Sequence, residues 1–288
     1  MKKTGIALLA CVMAVSLAAC GDTKENTDGE TVTKADTEKT DSTAGQETDK
    51  QENASLEYEE LIIGVDDTFA PMGFLDENNE LTGFDIDMAQ AVSEKLGIPV
   101  TFQTIEWSMK EQELNQGNID LIWNGYSVTE ERKEQVLFTN SYLDNKQVVV
   151  TMADSGINTL DDLAGKVVAA QEDSSAVVAI DANPELAASF ADRPEFATND
   201  MAIMDMEAGR SDAVVADSVL LNYVISHKED PSQYKILEED LGSEEFAVGV
   251  RKEDTALAEA INEAFEELKE DGTAAELSEK WFGEDVVK

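Results

Sequence analysis

Cysteine is nearly absent from this 288-residue chain: there are two, and only Cys20 lies outside an apolar run. A single thiol has no partner, so no disulfide framework and no cysteine-based zinc cluster is open to the chain. Histidine is scarcer still; His227 is the only one, beside Lys228 and Glu229 in a stretch that reads as solvated loop. Basic residues are few, 21 Lys and Arg against 62 Asp and Glu, for a formal net charge of −41. That excess argues against nucleic acid or an anionic membrane surface as a partner. It does not identify a ligand, since surface carboxylates also keep an exported protein soluble. After the first twenty residues no long hydrophobic run recurs, so no later membrane span is expected.

What is present begins with an export signal. Met1-Lys2-Lys3 is basic, and Ile6 to Ala19 is apolar but for Cys11 and Ser16, too short for a comfortable membrane span. Leu17-Ala18-Ala19-Cys20 resembles the lipobox of bacterial lipoproteins, with small residues for a peptidase and a thiol to take the lipid. Residues 1–20 are therefore expected to be a lipoprotein signal peptide, with Cys20 as the attachment site and the lipid as the sole anchor on the outer face of the cell membrane. Residues 21–56 are Thr, Asp, Glu, Lys, Asn, Gln and Gly, with almost nothing apolar. Such a stretch cannot offset its ordering entropy and reads as a disordered acidic tether, with an end-to-end distance of roughly 30–35 Å.

The remainder is long enough for two domains, and short strand-like runs alternate with helix-like stretches, the pattern of an α/β protein. Leu61 to Val65, Val100 to Ile105 and Asp120 to Trp123 read as strands; Asp87 to Leu96, Ser108 to Asn115 and a segment opening at Glu130 read as helices. An internal echo follows. Leu114-Asn115-Gln116-Gly117-Asn118-Ile119-Asp120-Leu121-Ile122-Trp123 matches Met206-Glu207-Ala208-Gly209-Arg210-Ser211-Asp212-Ala213-Val214-Val215 as helix end, glycine cap, turn, and Asp opening a buried strand. Two similar α/β lobes are the simplest reading: residues 57–149 plus 247–288 as lobe 1, and 150–246 as lobe 2. The runs Lys146 to Thr151 and Phe246 to Val250 would cross between them as a hinge.

Several segments, in order, carry a resemblance. Leu61-Ile62-Ile63-Gly64-Val65-Asp66, Ala70-Pro71, Gly83-Phe84-Asp85-Ile86-Asp87, Ser127-Val128-Thr129-Glu130-Glu131-Arg132, Leu160-Asp161-Asp162-Leu163-Ala164-Gly165-Lys166 and Lys280-Trp281-Phe282-Gly283 resemble the family 3 bacterial solute-binding proteins. The resemblance implies a two-lobed periplasmic-binding-protein fold of type II, each lobe a parallel-rich sheet flanked by helices. It also implies a polar amino acid as ligand, the permease subunits of an ABC importer as partner, a monomeric state, and neither cofactor nor metal. Glu130 stands where the family commonly has proline, and Glu172-Asp173 replaces a more basic, glycine-containing pair; both departures bear on the ligand rather than the fold.

Ligands of open parallel sheets bind beyond the carboxyl ends of the strands. Asp66, Asn124, Gly125, Glu172, Ser174, Ser175 and Asp217 all follow or end such strands. Arg132 sits in the first turn of a helix that Thr129 is placed to cap, where a cation opposes the helix dipole. Its fork suits bidentate capture of a carboxylate, the role the resemblance implies; an ordinary surface pairing with Glu130 or Glu131 is the alternative. Ser127 and Gly125 would add hydroxyl and backbone contacts. Ser174 and Ser175 either hold the carboxylate at a helix start or simply cap that helix. Asp217 matches the partner of the ammonium, but could also cap the helix after it. Phe69 and Trp107 match aromatic walls around the ligand side chain, though aromatics at such places are also ordinary core. Trp281 and Phe282 read as core, and Asp85 and Asp87 as helix-opening acids rather than metal ligands. With Asp66, Glu106 and Glu172 near the side-chain pocket and Arg132 committed, no second basic residue is expected there. Cationic ligands are favoured, amides next, and acidic ones rejected.

Two other function classes fit the same pattern. A cyclohexadienyl-type dehydratase resembles this fold and grips a carboxylate with the same arginine, but needs an acid poised to protonate a leaving hydroxyl. A ligand-sensing domain would call for a later membrane span or cytoplasmic module.

Overall fold

The computed structural model describes residues 56–288. The expected signal peptide, Cys20 and all of the expected tether but Leu56 lie outside the described residues. Leu56 itself packs, with Tyr58, against the core.

The fold is mixed α/β and two-lobed, built on two five-stranded sheets of like design. The first runs Val100–Thr104, Leu61–Val65, Leu121–Ile122, Gly249–Val250, Leu137–Phe138. The second runs Glu195–Phe196, Val168–Gln171, Ala213–Asp217, Leu143–Met152, Tyr234–Phe246. In each, the first three strands are parallel and the fourth joins antiparallel. The inner parallel strands, Leu61–Val65, Leu121–Ile122, Val168–Gln171 and Ala213–Asp217, are apolar nearly throughout and almost wholly buried, whereas the edge strands Val100–Thr104 and Glu195–Phe196 mix polar and apolar residues. A small antiparallel meander, Thr68–Phe69, Gly73–Leu75 and Leu81–Thr82, follows the first strand.

Two helices cover one face of the first sheet. Phe84–Leu96 buries Phe84, Ile86, Met88, Ala89 and Val92. Thr255–Glu270 buries Leu257, Ala258, Ile261, Ala264, Phe265 and Leu268, a stripe at helical spacing. The first of these starts three residues before the expected Asp87, and Gly97 ends it in the left-handed conformation. The expected helix from Ser108 opens as a 3₁₀ turn, Trp107–Met109, before becoming Lys110–Gln116. That from Glu130 is a single turn, Glu130–Lys133, and Thr129 does cap it, accepting the Arg132 N–H at 3.1 Å.

The sequence echo is a structural repeat. Gly117 and Gly209 both take the left-handed conformation, with φ of 75° and 70°. Asp120 then accepts the Ile62 N–H at 2.9 Å while its own N–H donates to the Ile62 carbonyl. Asp212 does the same to Val167, accepting its N–H at 2.8 Å. Each acid fastens the start of its strand to the start of the neighbouring one.

The two sheets are joined by long strands. Leu143–Met152 and Tyr234–Phe246 both lie in the second sheet and pair with each other along their length, with register shifts between Ile236, Asp240 and Gly242. The expected Phe246 to Val250 run divides: Phe246 ends the second-sheet strand and Gly249–Val250 enters the first sheet.

Candidate ligand-binding site

The carboxyl ends of the parallel strands from both sheets face one another. Four hydrogen bonds join the facing edges. Gln171 Nε2 donates to Asp66 Oδ2 at 2.7 Å, and Ser127 Oγ to Ser175 Oγ at 3.0 Å. Arg132 Nη2 and Lys110 Nζ both donate to the Asp173 carbonyl, at 3.2 and 3.0 Å.

Arg132 is 5% exposed, which rules out the surface alternative; Glu130 pairs with Lys133 instead. Its guanidinium lies 4.7 Å from the Tyr126 ring centroid and donates to the Ser127 carbonyl at 2.9 Å. The nearest carboxylate is Glu111, 3.7 Å from Nε. Lys110 is a second buried cation at this end, contrary to the expectation of none. Its ammonium lies 5.0 Å from the Trp107 ring centroid and 3.4 Å from Glu111. Burial, then the Arg132 charge, lowers the Lys110 ammonium to about 8. One carboxylate thus faces two cations, leaving an unmatched positive charge for an anion.

The opposite end is acidic. Asp217 is 3% exposed, and its Oδ1 accepts from Asn145 Nδ2 at 2.7 Å and Gln147 Nε2 at 2.9 Å. It occupies the cap position of the helix Ser218–Ser226 without capping it. Asn145 Oδ1 does that work, accepting from Ser218 Oγ at 2.9 Å and the Val219 N–H at 3.3 Å. The Asp217 carboxylate is therefore left to the cleft. Burial, followed by the charge of Glu244, pushes it well above the usual carboxylate range.

The remaining expected residues divide. Asp66 is buried, with Oδ1 held by the Thr68 N–H at 3.0 Å and hydroxyl at 2.6 Å; burial raises its carboxyl against these bonds. Ser174 precedes the helix Ser175–Asp181 but makes no side-chain cap; its Oγ donates to the Gln171 carbonyl at 2.7 Å. Gly125 was expected to offer its backbone, yet its N–H donates to Asp85 Oδ2 at 2.7 Å. A Cβ there would lie 2.7 Å from Phe69 Cε1, so only glycine lets that ring approach. Asn124 is buried, and neither of its side-chain polar atoms has a partner. Phe69 and Trp107 are both buried, in separate apolar clusters, Trp107 edge-on to Tyr126. Glu172 is half-buried, while Glu106 and Asp173 are exposed. Asp173 has φ of 51°, a left-handed backbone that explains why a glycine-containing pair suits this turn.

Residues 61–284 match the model of the bacterial extracellular solute-binding proteins, family 3. The chain belongs to that family. Proteins similar to it include the L-cystine-binding protein TcyJ of Escherichia coli strain K12, 29% identical over 79% of this chain and 84% of that protein. The ABC transporter arginine-binding protein 1 of the same strain is 30% identical over 78% of this chain and 91% of its own length. A crystal structure of an ABC uptake transporter substrate-binding protein from Streptococcus pneumoniae with bound histidine has a TM-score of 0.78 and 47% identity, covering 80% of this chain and 95% of that one.

Within this family 3 chain, sequence reasoning missed Lys110, Asn145, Gln147, Gln171 and Glu244. It also read Asp85 and Asp87 only as helix openers. Both do sit in the first turn, but Asp87 accepts from Trp281 Nε1 at 2.7 Å. Asp85 is fully buried behind the cleft and accepts from Tyr142 as well as Gly125.

Proposed function

We propose that this protein is the extracytoplasmic substrate-binding component of an amino acid ABC importer, enclosing a polar amino acid between its lobes. The observation that carries this reading is the polarity of the cleft. A buried guanidinium stands at one end and a buried carboxylate at the other, linked by the row Ser127, Ser175, Gln147 and Asp217. An α-amino acid has the matching pair of charges. Its carboxylate goes to Arg132 with Ser127, Ser174 and Ser175, and its ammonium to Asp217. Asp66, Phe69, Trp107, Asn124, Gly125 and Glu172 surround the side chain.

Relatives named for cystine, arginine and histidine support a cationic or otherwise polar ligand. The second cation does not invite an acidic side chain, because Glu111 already lies against both Lys110 and Arg132. The protein acts by capture and release rather than turnover, as a monomer. Leu17-Ala18-Ala19-Cys20 supports anchoring through lipid on Cys20.

A thermal-shift screen over the common amino acids and cystine tests the reading, because a tight ligand raises the melting temperature by mass action. Arginine, histidine, cystine or glutamine should raise it, and glutamate and aspartate should not. No shift with any amino acid, or formation of product from arogenate or prephenate, would overturn it. Loss of fatty-acid labelling in Cys20→Ser tests the anchor; equal labelling of both forms would remove it.

A further inference from the structure

Glu244 comes from the long return strand, far in sequence from every motif of the site. Its Oε1 accepts from Asn145 Nδ2 at 2.6 Å and from Gln147 Nε2 at 2.8 Å, and lies 3.5 Å from Ser175 Oγ. Asp217 Oδ1 takes the same two amide nitrogens. Two carboxylates therefore share two amide groups. Gln147 Nε2 has two hydrogens and three acceptors within reach: Ser175 Oγ, Asp217 and Glu244. Its Oε1 is buried and has no partner.

No cation among the described residues pairs with either acid. On the strand beside Glu244, Lys146 pairs with Asp240 at 2.8 Å. Lys288 binds Asp144 at 2.7 Å and also Glu245. Arg193 binds Asp181 at the far end of the helix Ser175–Asp181, and the helix Ser218–Ser226 carries no charged residue. Glu244 is half-buried and opens, with Asn145, Lys146 and Ser218, on a cleft of about 560 Å³. Glu244 is reachable from solvent, while Asp217 lies buried behind it.

Two acids and an unfilled amide oxygen, with no cation beside them, suit a positively charged group with three N–H donors. We propose that Glu244 is a second carboxylate of the ammonium subsite, so that the α-ammonium of the amino acid lies between Glu244 and Asp217 and gives its third hydrogen to Gln147 Oε1. This rests on the amino acid reading and extends it to residues on the return strand and its neighbour. Burial and the Glu244 charge beside it hold the Asp217 carboxyl well above the usual carboxylate range, so before capture Asp217 holds a proton. The ammonium replaces that proton, which leaves to solvent; no covalent bond of the amino acid changes. Capture thus releases a proton, and affinity falls as the pH is lowered.

Calorimetry with L-arginine, L-histidine and L-cystine at pH 7, in buffers of different protonation enthalpy, reads the protons released per amino acid bound. The native chain should release between about 0.5 and 1. Glu244→Gln should release measurably fewer, since burial alone still raises the Asp217 carboxyl, with Kd raised roughly 10–100-fold, and should melt, unliganded, no lower than the native chain. Native binding without proton release, or a Glu244→Gln variant with unchanged Kd and unchanged release, overturns the proposal and leaves the transport reading standing. A native chain that binds neither these three nor any other common amino acid overturns both.

Discussion

Lys110 and Arg132 donate to one and the same carbonyl oxygen, that of Asp173, across the cleft. Two buried cations so close repel each other, and Glu111 offsets only one of the two charges. An α-carboxylate supplies the other.

Lys110→Met keeps the volume and removes one charge. Affinity for the amino acid should fall about 10–100-fold, while the unliganded melting temperature stays level or rises as the repulsion is relieved. The native ammonium titrates near 8, so raising the pH from 7 to 9 discharges it and native affinity should fall over that range. The variant should show a smaller fall, the part left being the discharge of the ligand's own ammonium. Calorimetry at the two pH values checks both; a variant that binds like the native protein would place Lys110 outside the ligand's field.

Arg132→Ala leaves the ligand carboxylate without its fork and should cost roughly 3–5 kcal/mol in binding. The side chain is also packed against Tyr126 and Ser127. A stability loss of about 1–2 kcal/mol is therefore expected beside the binding loss. Denaturant unfolding without ligand reads the first, and calorimetry the second.

Asp85 gives a pH dependence of folding. Burial raises its carboxyl from 3.8 to about 7, so its contribution to stability is full below pH 4 and is lost as the pH rises through about 7. The span is on the order of 4 kcal/mol. Asp85→Asn retains an acceptor for Gly125 and Tyr142 but cannot ionise. Its melting temperature should vary less between pH 5 and 8 than that of the native chain, and equal slopes would show that Asp85 does not titrate in this range.

Asp120 and Asp212 hold equivalent places but unequal company. Asp120 also pairs with Arg251 at 2.9 Å, both side chains under 20% exposed, whereas Lys166 is 4.0 Å from Asp212 and both are more open. Asp120→Ala should cost roughly 2–3 kcal/mol and Asp212→Ala about 1. Parallel urea titrations compare them; equal costs would mean that Arg251 adds nothing.

The residues whose place in the fold was legible in the sequence are those whose position is set by local order. Arg132 follows its capping Thr129 by three residues, and Asp217 ends an apolar strand, so position along one element was enough. Glu244 was not, because the strand that carries it shifts register twice before reaching Asn145. Counting alternation along such a strand does not tell which face a residue takes. Lys110 was hidden by a phase change: the 3₁₀ turn Trp107–Met109 rotates the helix after it, turning a lysine of ordinary helical composition inward. Gly125 does follow the strand Leu121–Ile122, but its N–H is spoken for by an acid forty residues away, a contact that only the tertiary fold makes.

The paired strands Leu143–Met152 and Tyr234–Phe246 behave mechanically as a ribbon rather than as two independent strings. A hydrogen-bonded ribbon strains little in stretch or shear but yields in torsion; Gln147 to Thr151 are held on their other side by Ala213–Asp217, so twist between the lobes falls on the free stretch where Leu143 to Lys146 pair with Ser243 to Phe246. No single residue is then the pivot. A substitution within the ribbon should change the angle at which the lobes rest by a small amount, and a graded series of such angles is what this architecture can offer.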